Sequence, residues 1–376
     1  MPVAVMKTKP TTSPNLRVAQ TLTALIVLLA TVASAGGLLI PDLYRDPAAM
    51  KPVLQGQDLV TLIAIPVMAI TLLTVRRGSA RGTLAWLGLL GYLLYTYVGA
   101  ALAYAFNDFF LIYLAIFSLS VFALVAAATG IDVAELHRRF DTAVPRKPVA
   151  GFLILIALML AMGELGEIIP FLTTGAVPEI IRRSGGPTCF VYVLDLGIIV
   201  PLALLSAIWL WRRLPWGYVL AGSILIKGAT MGLALLSMDW FAVRAGYPAD
   251  GLAAIWVVIA FGSLGMSVWF LGTAEGSTAG GAPPGRDDRG GAEEASVKEY
   301  RNTIILHPET EEGGYSVTVP ALPGCFAQGD TLEEAVAMAK EAIAVHIEGL
   351  LEDGEPIPQE DAPLGMLTIS LDAPAA

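Results

Sequence analysis

The amino-acid sequence predicts an α-helical multi-pass membrane bundle of about eight transmembrane helices, followed by a small α+β domain. Three observations carry that expectation. Apolar stretches of about 20 residues, long enough to cross roughly 30 Å of hydrocarbon, recur from Arg17 to Gly272. Charge then changes abruptly: residues 1–272 hold 18 Lys and Arg against 13 Asp and Glu, whereas residues 299–376 hold 2 against 15. Finally, residues 313–335, reading GGYSVTVPALPGCFAQGDTLEEA, join an alternating strand pattern, a Pro-Gly turn and a helix start. The chain average, 55% hydrophobic and 15% charged over 376 residues, is too apolar for one soluble globular protein and describes neither part.

The apolar segments fall near 18–40, 58–75, 83–106, 109–128, 149–170, 190–211, 215–239 and 251–272, with only Asn107 and Asp108 between the third and fourth. With the N-terminus inside, the inner connections carry Lys7, Lys9, Arg17, Arg76, Arg77, Arg81, Arg138, Arg139, Arg146, Lys147, Arg212 and Arg213. The outer ones carry Arg45, Lys51, Arg182, Arg183 and Arg244. Basic residues concentrate on cytoplasmic connections. The expected location is therefore the cell inner (plasma) membrane, with both termini cytoplasmic. Ala33-Ser34-Ala35 also fits a signal-peptidase site, but the apolar run continues through Ile40, which favours an uncleaved first helix.

A faint internal repeat offers a 4+4 parallel organisation of residues 1–272. Gly37-Leu-Leu-Ile-Pro41 parallels Gly166-Glu-Ile-Ile-Pro170, and Asp58-Leu59 with Pro66 and Arg76-Arg77 parallels Asp195-Leu196 with Pro201 and Arg212-Arg213. Chance alignment of apolar helices bounded by Arg pairs gives the same pattern.

Ionisable residues inside the spans are the sharper clue, because each costs about 2.5 kcal/mol or more at the bilayer centre unless paired or wetted. Glu164 and Glu167 share a face of segment five, Asp195 lies at similar depth in segment six, and Lys227 is near the middle of segment seven. Such an intramembrane polar cluster suits a transporter or sensor that binds a cation, relays protons or recognises a charged solute. Alternatively, Lys227 neutralises one acid and locks the bundle while the others reach interfacial water. His137, beside Arg138 and Arg139, reads as a solvated loop residue, and no P-loop, zinc-binding helix or nucleophile elbow is present. No catalytic residue, metal site or nucleotide cofactor is expected.

Residues 273–298 lose the apolar pattern and gain Gly, Ala, Pro and mixed charge, a flexible linker able to span on the order of 30 Å. A fusion of two unrelated reading frames fits that composition as well. Beyond it, in residues 299–376, strands are expected at Tyr300–Leu306, Ser316–Val319 and Cys325–Gln328. A helix then runs from Leu332 to Leu351, capped by Thr331 with Glu334, with Leu332, Val336, Ala339, Ile343, Ile347 and Leu350 on its apolar face. Gly354 and Pro356 stop it, and Met366–Leu371 supplies a last strand. The order is β-β-β-α-β.

Four separated motifs occur in one order. They are Gly314-Tyr315; Val319-Pro320-Ala321-Leu322-Pro323-Gly324-Cys325; Gln328-Gly329-Asp330-Thr331-Leu332-Glu333-Glu334-Ala335; and Glu348-Gly349 through Asp353-Gly354-Glu355-Pro356-Ile357-Pro358. Together they resemble the HicB family of type II antitoxins, over about Tyr300–Leu371. The resemblance implies a partial ribonuclease-H-like fold that binds and neutralises a small basic HicA-type toxin, an mRNA-cleaving ribonuclease. It also implies partner-binding positions at Tyr315, Pro320, Leu322, Pro323, Gly324, Gln328 and Asp330. An acidic domain would be steered towards a basic partner. Catalysis by the domain is not expected, since Tyr300–Leu306 carries no carboxylate and Glu309, Glu311 and Glu312 lie in a turn, whereas a two-metal nuclease needs converging acids. His307 and His346 read as surface residues. Direct DNA binding is not expected either, because no basic recognition helix follows the last strand.

Overall fold

A computed structural model of the chain describes residues 13–140, 144–249, 251–273, 303–309, 313–352 and 358. The chain divides into two compact units, Met1–Gly281 and Ala282–Ala376.

Among the described residues, the first unit is built of helices alone. Its long helices are α1 (Pro14–Leu39), α2 (Met50–Arg76), α3 (Ala80–Leu102), α4 (Phe110–Gly130), α6 (Arg146–Thr174), α8 (Phe190–Trp211), α9 (Pro215–Arg244) and α10 (Ala253–Gly272). All eight are long and apolar enough to cross a membrane, by length and composition. Two short helices, α5 (Val133–Phe140) and α7 (Glu179–Ser184), sit in the connections, where loops were expected. Each is pinned by one acid facing two arginines a turn later, Glu135 to Arg138 and Arg139, and Glu179 to Arg182 and Arg183.

Several boundaries differ from the hydropathy reading. α2 starts at Met50 rather than near residue 58, because apolar content and helix length are separate properties. α3 stops at Leu102, short of residue 106; the chain then turns on polar side chains, with Ala105 N–H donating to Asp46 (3.0 Å) and Phe109 N–H to Asn107 (2.9 Å). α6 runs four residues past Pro170, and Thr173 and Thr174 donate their hydroxyls to the carbonyls of Ile169 and Pro170.

Packing explains the arrangement. α1 lies against α2 and α4, and α3 against α2 and α4, which closes a four-helix group. Ser13 locks one end: it accepts from Leu16 N–H (3.2 Å) and donates to the Gly130 carbonyl (2.8 Å). α9 is the central strut, packing on α2, α3, α5, α8 and α10. It approaches its neighbours at glycines, as helices do when small residues let backbones meet. A Cβ at Gly56 of α2 would stand 2.6 Å from Met238 Cα on α9. One at Gly232 of α9 would stand 2.6 Å from Ala260 N on α10.

The interior collects small and polar residues, such as Ala30, Ala33, Ser34 and Thr23, while Leu28, Ile63, Leu111, Phe122 and Met162 are exposed. Buried polar groups pair across helices: Trp86 donates to Thr23 (3.1 Å), and Gln57 donates to Tyr92 (2.7 Å) and Thr96 (3.1 Å). α8 and α10 each contain a π-helical turn, at Asp195–Ile199 and Val258–Gly262. The first has a local cause. Pro201 lacks the N–H that would bond to Gly197, so the ladder slips and Val200 N–H bonds to the Asp195 carbonyl.

The second unit is a three-stranded antiparallel sheet, β1 (Ile305–Pro308), β2 (Tyr315–Thr318) and β3 (Phe326–Gly329), ordered β1-β2-β3, with helix α11 (Leu332–Glu352) on it. Register pairs Leu306 with Val317 and Val317 with Ala327. β1 begins at Ile305, later than the expected Tyr300. The core is Val317, Ala335 and Ala339, continued by Val319, Leu322 and Cys325 against Ala342, Ile343, Ile347 and Leu350. Leu332, expected on the buried stripe, is 45% exposed, and Ala335 takes the buried place. The reason is contact: a Cβ at Gly329 would lie 2.4 Å from Ala335 N, so β3 and the first turn of α11 touch at that point. The linker from residue 274, the helix stop at Gly354 and Pro356 and the strand at Met366–Leu371 lie outside the described residues.

Candidate functional site

Two places bring chemistry-bearing side chains together, one in each unit. In the C-terminal unit, residues 313–335 form a hairpin, a turn and a helix start. Gly313, Gly314 and Gly324 adopt positive φ (76°, 91° and 90°), which favours glycine, and Gly324 closes the turn in which Cys325 N–H bonds to the Leu322 carbonyl (3.0 Å). Thr331 Oγ1 accepts from Glu334 N–H (3.2 Å), as the capping motif predicts. The return bond reaches one residue further back than the usual pattern: Glu334 accepts from Asp330 N–H (3.1 Å).

β3 is paired on one side only among the described residues. Beside it runs a groove of about 450 Å³, lined by residues that include Phe326, Ala327, Met338, Glu341, Ala342, Val345 and His346. Phe326, Met338 and Val345 are exposed. Cys325 lies beneath, buried, and burial pushes its thiol above the ordinary value.

The seven positions implied for partner binding separate on burial. Pro320, Pro323, Gly324, Gln328 and Asp330 are exposed. Leu322 is wholly buried among Val319 and Cys325, and Tyr315 packs against the Val317 cluster, so both support the fold from within. The groove's apolar residues were not singled out from sequence. Their signal was available: Phe326 stands at an outward strand position, and Met338 and Val345 fall two turns apart on α11. His307 is exposed and meets Thr318 (3.4 Å), while His346 lines the groove.

In the helical unit, Glu164 on α6 and Asp195 in the π turn of α8 lie within hydrogen-bonding reach of each other. Lys227 on α9 is close enough to Asp195 for their charges to attract, and its ammonium sits 4.1 Å from the Tyr95 ring centre on α3. Tyr95 in turn reaches Asp195. Glu164 and Asp195 are more than nine-tenths buried, and Glu164 Oε2 and Asp195 Oδ1 have no hydrogen-bond partner. Of the four residues expected to cluster, Glu164, Asp195 and Lys227 come together; Glu167 is exposed on the same helix. Tyr95 was missed, although the Tyr92, Tyr95 and Tyr97 run in an apolar helix marks α3 as unusual.

Cys189 caps α8 just outside this cluster. Burial raises its thiol, the backbone N–H groups of Tyr192 and Val191 pull it back, and Glu164 and Asp195 push it upward again. A contrasting carboxyl, Asp58 on α2, accepts from the Tyr44 hydroxyl, and burial followed by the Asp58 charge drives the Tyr44 hydroxyl far above its usual value. His137 is on α5, edge-on to Tyr218 with ring centres 4.7 Å apart, and not in a solvated loop. Among the described residues, no three His, Cys, Asp or Glu side chains are grouped to hold a metal.

Comparison with known proteins gives one assignment. Residues 302–371 match the family described as the HicB-like antitoxin of bacterial toxin–antitoxin systems. A UPF0150 protein of Synechocystis is 43% identical over 70 residues, 19% of this chain and 87% of the relative. An uncharacterised 14.9 kDa protein of Haemophilus phage HP1 is 57% identical over 60 residues, 15% of this chain and 45% of the relative. Antitoxin HicB 1 of Photorhabdus laumondii is 45% identical over 62 residues, 16% of this chain. The chain thus spans less than half the length of the phage protein and 39% of the Photorhabdus antitoxin. No solved structure matches. Through its C-terminal segment, residues 302–371, the chain belongs to the HicB-like antitoxin family.

Proposed function

We propose that this protein is a multi-pass membrane protein of the cell inner membrane whose C-terminal HicB-like module binds and neutralises a small basic HicA-type toxin on the cytoplasmic side. The observation that carries the reading is the groove beside β3: exposed Phe326, Met338 and Val345 on a module with 15 acids against 2 bases across residues 299–376. An apolar centre inside an acidic surface suits a basic protein partner, the apolar residues supplying affinity and the field supplying the association rate. Exposed leucines, isoleucines and phenylalanines on eight helices long and apolar enough to cross a membrane support the membrane part of the reading.

The test is co-expression of the full chain with a HicA-type toxin encoded beside it. The wild type relieves growth arrest and retains the toxin through purification in detergent, whereas Phe326→Asp with Val345→Asp does neither. A wild-type chain that neither binds nor relieves arrest defeats the antitoxin role. A second reading, a transporter or sensor with the module as a regulatory appendage, is favoured by the convergence of Glu164, Asp195 and Lys227.

A further inference from the structure

We propose that Glu164 and Asp195 form a proton-binding site within the helical bundle, charge-balanced by Lys227. The inference rests on reading the eight helices as membrane-spanning and deepens the second reading above by naming the ligand.

Charge counting leads to the proton. Two carboxyl groups meet one ammonium, so with both acids ionised the cluster carries one uncompensated negative charge. Taking such a charge out of water is costly unless it is paired. A single proton shared between the facing carboxyls removes it, because two carboxylates in contact disfavour double ionisation. The exchange balances simply: on release the proton goes to water and leaves two carboxylates, one paired with Lys227, and on uptake the two carboxyls with one proton carry a single negative charge that the Lys227 ammonium neutralises.

A metal ion fits less well. Lys227 already attracts Asp195, so a cation would face repulsion at close range. The cluster also brings together only two acidic side chains, and no three His, Cys, Asp or Glu side chains are grouped to hold a metal among the described residues.

The second observation is the pair of unpartnered oxygens, Glu164 Oε2 and Asp195 Oδ1, both buried. Asp58 lacks this feature, since the Tyr44 hydroxyl satisfies it. The π turn contributes as well. It frees Asp195 from regular helical pairing, and such turns are frequent at functional sites. The other titratable groups facing the pair are Tyr95 on α3, Lys227 on α9, and Cys189 and Tyr192 at the start of α8, with exposed Glu167 three residues from Glu164 on α6.

The experiment is infrared difference spectroscopy of the full-length protein in lipid as pH is varied, reading the deuterium-sensitive carbonyl stretch of a protonated carboxyl. The expected result is a titrating band that disappears in Glu164→Gln and in Asp195→Asn and persists in Glu167→Gln and Asp58→Asn. Glu164→Asp and Asp195→Glu, which keep both carboxyls, retain a band at a shifted frequency and cover the case in which the amides do not fold. A band unchanged in both amide variants, or one displaced by sodium or potassium at fixed pH but not by choline, overturns the proton site. A chain that stays soluble without detergent or lipid defeats the membrane reading instead, whereas a detergent-requiring chain without the band defeats the proton site alone.

Discussion

Lys227 on α9 places its ammonium 4.1 Å from the ring centre of Tyr95 on α3, so this lysine near the middle of its helix is held by an aromatic face as well as by Asp195. A desolvated contact of this kind contributes about 2 kcal/mol. Tyr95→Phe keeps the ring and is expected to unfold in detergent within a few degrees of wild type. Tyr95→Leu loses it and unfolds at clearly lower temperature. Equal melting of the two variants would show that the ring contributes nothing.

Gly56 meets the α9 backbone so closely that no side chain fits. Gly56→Leu is expected to lower stability by about 1–3 kcal/mol or more through overpacking. Gly91, with nothing within 4 Å of a built Cβ, is the control. Gly91→Ala should be neutral or slightly stabilising, since alanine favours helix. Thermal aggregation of the solubilised chain distinguishes the two.

Thr331 accepts the Glu334 N–H at the start of α11. Thr331→Ala removes that acceptor and should cost about 1 kcal/mol. Hydrogen exchange should quicken in the first turn of α11 and remain unchanged across α1 to α10. Uniform change throughout the chain would rule out a local cap.

Burial raises the Cys325 thiol above its unfolded value. The folded state therefore holds its proton where the unfolded state has lost it, and the thiol's stabilising contribution fades as pH rises above the ordinary thiol range. Maleimide should label Cys325 slowly at neutral pH in the folded protein and rapidly after unfolding. Fast labelling of the folded protein would contradict its burial. Cys325→Ser should flatten the alkaline loss of stability.

Glu179 behaves in the opposite sense. A hydrogen bond from Arg183, then the charges of Arg182 and Arg183, hold its carboxyl below the ordinary value. What it contributes to α7 is present above the usual carboxylate range and lost as pH falls through the folded value. Glu179→Gln should abolish any acid-linked change in exchange rates at residues 179–184.

Much of the molecule was legible before any coordinates. Apolar runs marked all eight long helices, because a run of about 20 such residues carries its own signal in composition. The Thr331–Glu334 cap and the Pro-Gly turn ending at Gly324 are local, and local chemistry survives into the fold. Leu332 misled, since a helical wheel gives a stripe but not its rotation against the sheet, which the Gly329–Ala335 contact sets.

By itself, the sequence determined that a long apolar helical part precedes a small acidic module of HicB type, since length, hydropathy, charge and motif order are properties of neighbouring residues. Only the tertiary structure decided that Glu164 and Asp195 face each other while Glu167 points away, that Tyr95 joins them from a helix 69 residues earlier than Glu164, and that Leu322 is core. Those outcomes depend on how separate helices rotate and approach, and rotation is settled by backbone contacts at residues such as Gly56, Gly232 and Gly329 that no single segment contains.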